Sequence, residues 1–328
     1  MAGPELFDVA VIGGSYAGTQ AALTLGRACR RVLVVDGGTP RNAPAAHVHN
    51  FLGQHDPAPA DLLADARSAL AEHAVVWEQD TVVRAEGLDP AGSEAKPGES
   101  TAYGGAPTWR LVGARGGSWI ARSVLIATGL RDELPDVPGV AQLWGRDVVA
   151  CPHCHGWEVR GGPLAQLGLR GAPARGVERA VLLSRWSRDV VFYTNGDALT
   201  EPQRSRLAAA GVGVDTGRVR CVVQRDGRLA GIELEDGALH ARTAVFVVVK
   251  QSPQTDAAAL FGCAMDDAAV AVAVDEAGRT GVPGVWAAGT AAAPALLAVG
   301  AAGHASTVAV HLNNALIEQD LAEGHAAT

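Results

Sequence analysis

Short apolar runs recur along this chain, and several of them end in a glycine-rich turn or an acidic residue. Residues 7–12 form an apolar run typical of a buried parallel strand, and residues 19–29 carry helical spacing. A second apolar run over residues 31–36 ends in a carboxylate. The order strand, glycine-rich turn, helix, strand predicts a βαβ unit.

The pattern continues as an α/β alternation, without a repeat of 20 to 50 residues. Residues 37–61 are predicted as a long loop, residues 90–107 as a solvated hairpin excursion, and residues 60–72, 179–185 and 301–319 as helices. Further strands are predicted at residues 123–129, 164–169, 190–193, 212–214, 244–249 and 285–288. The fold class expected is α/β with two Rossmann-like, three-layer domains. A discontinuous first domain takes residues 1–118 and 243–328, and the second takes residues 119–242.

Composition and charge narrow the classes of partner. The 328 residues are 48% hydrophobic and 19% charged, which supplies a sizeable core and excludes a disordered polypeptide. The 27 Lys and Arg against 35 Asp and Glu leave a net charge of −8, without a basic stripe for nucleic acid. The run over residues 7–12 is too short to cross a bilayer, and no export signal is visible. We therefore expect a cytoplasmic protein that binds neither nucleic acid nor membrane.

The first turn carries a departure from the dinucleotide-binding pattern G-x-G-x-x-G. Its three positions are Gly13, Ser15 and Gly18, so that serine replaces the middle glycine. The turn lets backbone N–H groups and a helix N-terminus approach a pyrophosphate, and Asp36 at the end of the next strand is placed to accept ribose hydroxyls. The alternative is a tight glycine turn without a ligand.

A C-x-x-C segment near the middle of the sequence is the second candidate for chemistry. Cys151 and Cys154 are spaced to close a disulfide at the first turn of a helix, where Pro152 is favoured. The imidazole of His155 can carry protons in thiol exchange near neutral pH. Three alternatives stay open at this point: attachment of haem c, a zinc site, or two inert buried thiols. We expect no metal, because the other potential ligands are scattered. The remaining cysteines are predicted as core residues: Cys29, Cys221 and Cys263.

Four ordered motifs resemble the low-molecular-weight thioredoxin reductases, which are FAD proteins with a redox C-x-x-C. They are residues 13–18 (GGSYAG), 124–129 (VLIATG), the C-x-x-C and residues 285–290 (VWAAGT). A closer resemblance is to the thioredoxin-reductase-like dithiol oxidases of gliotoxin-, holomycin- and romidepsin-type biosynthesis. It is carried by residues 40–49, 129–136 and 151–158. The resemblance implies a FAD-binding oxidoreductase that is usually a homodimer.

The resemblance also assigns residues. It makes Cys151 the thiol that exchanges with substrate and Cys154 the thiol proximal to the flavin, with His155 as the candidate base. The residues implied for FAD are Gly13, Gly14, Ser15, Gly18, Asp36, Gly37, Arg41, Asn42, Ala127, Thr128, Gly129, Gly289, Thr290 and Leu297. A substrate pocket is expected to include His47, His49, Pro152 and His153.

Departures from the family pattern bear on the electron donor and acceptor. Thr290 stands where the family has Asp or Asn, and Leu297 where a Gln is expected near the flavin. No G-x-G-x-x-G or G-x-G-x-x-A can be drawn through residues 164–176, and residues 191–196 lack the arginine pair that would hold a 2′-phosphate. We expect NADPH binding to be weak or absent. A divergent but working NADPH loop is the alternative.

Together these features predict a FAD-dependent dithiol oxidase that forms a disulfide in a small-molecule dithiol, with O2 as acceptor and H2O2 as product. The first alternative is a disulfide reductase that uses NADPH or another donor, with thioredoxin or a similar protein as partner. The second alternative is a flavin-binding redox sensor with little turnover.

Overall fold

A computed structural model describes residues 5–88 and 108–324, so the hairpin excursion predicted for residues 90–107 lies outside the described residues. The strands, in sequence order, are β1 (Leu6–Ile12), β2 (Val32–Val35), β3 (Val75–Glu78), β4 (Val82–Leu88), β5 (Thr108–Gly113), β6 (Ser118–Ile126), β7 (Leu130–Glu133), β8 (Val148–Val149), β9 (Leu164–Leu167), β10 (Val190–Tyr193), β11 (Gly213–Asp215), β12 (Val219–Arg225), β13 (Arg228–Leu234), β14 (Leu239–His240), β15 (Ala244–Val247), β16 (Lys250–Pro253) and β17 (Val285–Ala287). The helices are α1 (Tyr16–Arg27), α2 (Pro59–Ser68), α3 (Val140–Leu143), α4 (Pro152–His155), α5 (Pro173–Leu183), α6 (Glu201–Ala209), α7 (Ala257–Leu260) and α8 (Ala298–Ala322), with a 3₁₀ turn at Gly289–Ala291.

The protein divides into two compact units, each built from more than one segment. The first unit comprises Met1–Arg41, Ala60–Arg131 and Ser252–Thr328. The second unit comprises Asn42–Pro59 and Asp132–Gln251.

These limits differ from the predicted boundaries because strand pairing, not composition, assigns each segment. The predicted boundary after residue 118 falls inside β6, which pairs with β1 from Leu6 to Ile12 and so belongs to the first unit. The predicted return at residue 243 falls just before β15, which pairs with β9 in the second unit. The loop over residues 42–59 also belongs to the second unit.

The first unit contains a parallel sheet in the order β3-β2-β1-β6, with β17 alongside the end of β6. The antiparallel strands β5 and β4 extend this sheet beyond β6. All four residues of β2 are buried, as expected for a parallel strand covered on both faces. One face packs against α1 and α8 through residues such as Val11, Leu25 and Leu312, and the other buries Phe7, Leu111 and neighbouring apolar side chains.

The second unit has its own parallel sheet in the order β11-β10-β9-β15-β8. Helices α5 and α6 cover one face, where Val177 and Leu207 pack on Phe192. The antiparallel sheet β12-β13-β14 covers the other, where Ile232 packs with Tyr193. Each unit is therefore a layered α/β domain, and the predicted fold class is confirmed.

Two local predictions need correction. Helix α5 begins at Pro173, earlier than the predicted residue 179, because proline at the first helical position fixes a helical φ and lacks only an N–H that would have no partner there. Cys29 was expected in the core, but it is exposed at the end of α1 with a φ of 60°. Cys263 is buried and Cys221 half-buried. Within the described ranges, no helix combines the length and apolar character needed to cross a membrane.

Candidate flavin and disulfide sites

The turn between β1 and α1 depends on its glycines. Gly13 has a φ of 101°, and a Cβ there would lie 2.6 Å from the carbonyl oxygen of Ala127. A Cβ at Gly18 would overlap the carbonyl oxygen of Gly13. Ser15 occupies the N-cap of α1 and makes no capping hydrogen bond through its side chain. Since the first-turn N–H groups of a helix have no partner within it, this turn is suited to a phosphate.

Asp36 lies beside this turn, as the spacing predicts. Its Oδ1 accepts a hydrogen bond from the Gly14 N–H at 3.0 Å, and its Oδ2 accepts one from Nη2 of Arg67 at 3.0 Å. The Arg67 guanidinium lies over the Trp77 ring, 4.3 Å from its centroid. A carboxylate has about four lone-pair positions, so Asp36 keeps acceptor capacity for ribose hydroxyls. Sequence reasoning missed Arg67 and Trp77, because neither belongs to a motif.

The two later flavin motifs meet the first one in space. Gly289 has a φ of 67°, and a Cβ there would press on Ala17 of α1. A Cβ at Gly129 would lie 3.1 Å from Oγ1 of Thr290. The Gly289 N–H donates to Nδ1 of His304 at 3.1 Å. Burial lowers the pKa of His304, which keeps its ring neutral and able to accept this bond. His304 was also missed, since only the packing of α8 brings it here.

The first unit therefore fits the adenine-dinucleotide part of FAD at the carboxyl ends of its parallel strands. Its features are the glycine turn, the N-terminus of α1, and a carboxylate with spare acceptor positions. Ala127 and Thr128 adjoin Gly13, and Leu297 is the N-cap residue of α8. Gly37 follows Asp36 in the first unit with Arg41, whereas Asn42 lies in the second unit. Their contacts with FAD stay predictions.

The second unit holds the C-x-x-C. Cys151 and Cys154 are joined by a disulfide, with their Cα atoms 5.3 Å apart. Cys151 is the N-cap residue of α4, and Pro152 at its first position is buried. The ring of His153 packs edge-on against Trp186, 5.5 Å between centroids. The sequence expectation of a disulfide at a helix start thus agrees with the geometry. His153 lies against an aromatic side chain.

Three histidines cluster beside this disulfide, within the second unit. The ring of His49 meets the ring of His155 edge-on, with centroids 5.8 Å apart, and His47 lies 5.9 Å from His49. Nδ1 of His49 lies 2.7 Å from Oδ1 of Asp56 and 3.6 Å from Oε1 of Glu158. The loop over residues 42–59 therefore delivers two predicted pocket residues to the helix that carries the disulfide.

The surroundings of His155 favour the neutral form of its imidazole. Burial is the main cause that lowers its pKa, and the neighbouring His49 lowers it further, while the Glu158 carboxylate opposes both. Its Nδ1 is buried and has no hydrogen-bond partner among the described residues. A neutral imidazole can accept a thiol proton, so His155 has the protonation state that a base needs. Among the residues described, no group of three or more His, Cys, Asp or Glu side chains is arranged to hold a metal ion.

The turn between β9 and α5 has the topology of a second dinucleotide turn but different contacts. A Cβ at Gly176 would lie 2.6 Å from the Phe192 ring, so close packing of helix on strand is kept. Pro173 at the first position of α5 has no N–H. The Gly171 N–H donates to the Asp197 carboxylate at 2.8 Å. An internal carboxylate thus uses a backbone donor of this turn. Asp197 is a further residue that motif reasoning missed.

Comparisons with known proteins identify the family to which the chain belongs. The family model described as pyridine nucleotide-disulphide oxidoreductase matches residues 7–309. Thioredoxin reductase tcpT of Claviceps purpurea is 31% identical over 245 residues, covering 73% of this chain and 72% of that protein. Thioredoxin reductase sirT of Leptosphaeria maculans is 29% identical over 308 residues, covering 89% and 88%.

A solved structure supports the same assignment. The crystal structure of HlmI superposes with a TM-score of 0.88 at 39% identity, covering 97% of this chain and 95% of that one. The resemblance drawn from the motifs is confirmed. The chain belongs to the pyridine nucleotide-disulphide oxidoreductase family and is a FAD-dependent oxidoreductase of the thioredoxin-reductase-like type.

Proposed function

We propose that this protein is a dithiol oxidase that closes a disulfide in a small-molecule dithiol and passes the electrons to O2, giving H2O2. The observation that carries the proposal is the contrast inside the second unit. A disulfide at a helix start lies beside a neutral imidazole, whereas the dinucleotide turn of the same unit lacks the G-x-G-x-x-G spacing and has a proline at the first position of α5. Electrons are expected to enter at the disulfide.

The exchange chemistry balances with the residues present. A substrate thiolate attacks the sulfur of Cys151, forming a mixed disulfide and releasing Cys154 as a thiolate. The second substrate thiolate attacks the substrate sulfur of that mixed disulfide, so the product disulfide closes and Cys151 is released. Two electrons pass from the substrate to the two cysteines, and two thiol protons are given up. FAD, when bound, accepts two electrons from the cysteine pair and transfers them to O2.

His155 is the residue proposed to take the first thiol proton. It follows Cys154 directly in the sequence. Its backbone N–H donates to the carbonyl oxygen of Cys151 at 3.2 Å, which holds His155 in the helical turn that starts at Cys151. Its lowered pKa keeps the ring available as an acceptor at neutral pH. The exchange itself requires thiolates rather than thiols.

One stretch of this chain, residues 291–298, is less polar than the corresponding stretch of the family, and it suits a small apolar substrate. Residues 291–298 are Ala, Pro and Leu, and most of them are only half-buried. His47 and His49 remain candidates for the pocket wall. The homodimeric state and the cytoplasmic location stay predictions from sequence.

A reductase that uses NADPH is the second candidate. Two exposed arginines, Arg170 and Arg175, flank the start of α5 and could attract phosphate. The dipole of α5 also favours an anion at its N-terminus. The lack of the glycine spacing counts against this candidate.

Oxygen uptake tests the proposal directly. The FAD-loaded protein in air should consume one O2 and produce one H2O2 for each molecule of a small dithiol, such as dithiothreitol, that it oxidises. Catalase should return half of the oxygen. Dithiol-dependent uptake no faster than that of free FAD would favour the redox sensor, and NADPH consumption with a disulfide acceptor would favour the reductase.

A further inference from the structure

We propose that His49 and Asp56 form a second proton-accepting pair next to His155, with Asp56 as the residue that positions His49. This inference rests on the proposed function, because it concerns the fate of the second thiol proton. No sequence motif singles out Asp56. Only the fold of the loop over residues 42–59 brings it to His49, 2.7 Å from Nδ1.

The need for such a pair follows from proton balance. Each of the two substrate thiols must lose a proton before its sulfur can attack, whereas one imidazole holds one proton at a time. His155 is half-buried, and while it keeps the first proton it cannot accept another. A second imidazole whose positive charge is balanced by carboxylates can take the second proton in that interval. His49 lies next to His155, with ring centroids 5.8 Å apart.

The hydrogen bond to Asp56 fixes how His49 can act. With Nδ1–H donating to the carboxylate, Nε2 of the neutral ring is left as the proton-accepting atom. A carboxylate so placed also stabilises the imidazolium that forms when Nε2 takes a proton, by the logic of a carboxylate–histidine dyad. The side chain of His49 is 14% exposed, which leaves it a route to discharge the proton to solvent.

The backbone of the loop is shaped around this contact. Asp56 adopts a left-handed φ of 49°, a conformation that most residues other than Gly, Asn and Asp avoid. The loop is closed by a hydrogen bond from the Val48 N–H to the Pro57 carbonyl at 2.8 Å. Nδ1 of His47 also lies 2.8 Å from the Asp56 carbonyl oxygen. The loop thus holds the carboxylate in place.

Among the described residues, two carboxylates and two imidazoles face His49. Asp56 and Glu158 supply negative charge at 2.7 and 3.6 Å from Nδ1, and His155 and His47 supply imidazoles. Glu158 is farther away and also faces His155, so it serves both rings. The carboxylate of Asp56 contacts His49, whereas its carbonyl oxygen contacts His47, so a change of the Asp56 side chain alters the contact with His49.

The test uses FAD-loaded protein mixed without oxygen with dithiothreitol between pH 6 and 8.5. Acid quenching and alkylation count the thiols of Cys151 and Cys154, and flavin absorbance is followed separately. Asp56→Asn should slow the appearance of the second cysteine thiol, which reports release of Cys151 from the mixed disulfide, about tenfold near pH 6.5, and the deficit should shrink towards pH 8.5, where thiols ionise without a base. His49→Gln should show the same dependence, and the double variant no further loss. Asp267→Asn, a change at an exposed aspartate of the first unit, is the matched control.

The outcomes distinguish a failure of this inference from a failure of the proposed function. Asp56→Asn protein that releases its second cysteine thiol as fast as the parent at pH 6.5 would overturn the pair and leave the oxidase intact. A loss that is equal at every pH, or loss of fold in both single variants, would mean that Asp56 only supports the loop, and would also overturn it. Parent protein whose disulfide dithiothreitol does not open would defeat the proposed function itself.

Discussion

The two dinucleotide-type turns of this protein share a topology and a backbone N–H that donates to a carboxylate, and they differ in glycine spacing and in how the following helix begins. In the first turn, Gly14 donates to Asp36, the carboxylate placed for a ribose, and Ser15 leaves the start of α1 without a side-chain cap. In the second turn, Gly171 donates to Asp197, and α5 begins with a proline. The first turn keeps the outer glycines of the dinucleotide pattern, whereas no G-x-G-x-x-G or G-x-G-x-x-A spacing can be drawn through the second.

The two turns show that the glycine needed for packing a helix on a strand can be kept while the glycines needed for binding a dinucleotide are lost. Gly18 and Gly176 both allow a helix to lie close to a strand, so both turns keep the packing role of the last glycine. The outer glycines that let the backbone approach a pyrophosphate are kept only in the first. The expectation that FAD stays while NADPH is lost depends on this contrast.

Removing the disulfide should have the largest effect. If electrons enter through Cys151 and Cys154, Cys151→Ser or Cys154→Ser should abolish flavin reduction by a dithiol, because no disulfide remains to be attacked. Absorbance of the oxidised variants separates the two thiols. A long-wavelength thiolate–flavin band is expected in Cys151→Ser and not in Cys154→Ser, and the reverse would exchange the assigned roles.

His155→Ala should have the next largest effect. Loss of a general base slows a reaction roughly 10²–10⁴-fold, and dithiol-driven flavin reduction should fall in that range with FAD still bound. Because burial lowers the pKa of His155, the neutral base should persist, and the parent rate should decline only below the ordinary histidine pKa. Stopped-flow traces across pH measure both. An unchanged rate would make His155 a structural residue of α4.

Matched changes in the two turns should affect FAD unequally. Asp36→Asn removes a charged acceptor from the Gly14 N–H and from the ribose position, which predicts roughly ten- to hundredfold weaker FAD binding, or about 1.5–3 kcal/mol. Asp197→Asn, in the other turn, should leave FAD affinity unchanged. Fluorescence titration of apoprotein with FAD compares them. Equal losses in both would remove the distinction between the turns.

The smallest effect is expected from opening the second turn. Asp197→Asn removes the negative charge at Gly171, so NADP⁺ should bind a few-fold more tightly, and still weakly because Pro173 and the missing glycines remain. Isothermal titration of parent and variant decides this. Tighter binding by the parent than by the variant would show that Asp197 helps to bind the nucleotide.

Sequence reasoning succeeded where the signal is local along the backbone. The run over residues 7–12, the turn after it and Asp36 form one short unit whose spacing specifies the fold, and the C-x-x-C predicts its own disulfide. Arg67, Asp197 and His304 were missed, because each meets its partner only through tertiary packing and carries no motif.

The boundary after residue 118 was misplaced for a related reason. Composition changes near residues 90–107, but β6 still pairs with β1, and only the register of that pair shows it. Cys29 was misassigned because its apolar neighbours on α1 face inward while the left-handed end of the helix turns outward.

Anaerobic mixing of the FAD-loaded protein with either a small dithiol or NADPH tests the central claim most directly. The dithiol, which can reach Cys151, should bleach the flavin rapidly and saturably, and admitting oxygen should restore the yellow colour. NADPH at the same micromolar concentration should bleach it slowly or not at all, because the second turn lacks the contacts that hold a pyrophosphate. Rapid, saturable bleaching by micromolar NADPH would contradict this account and establish the reductase instead.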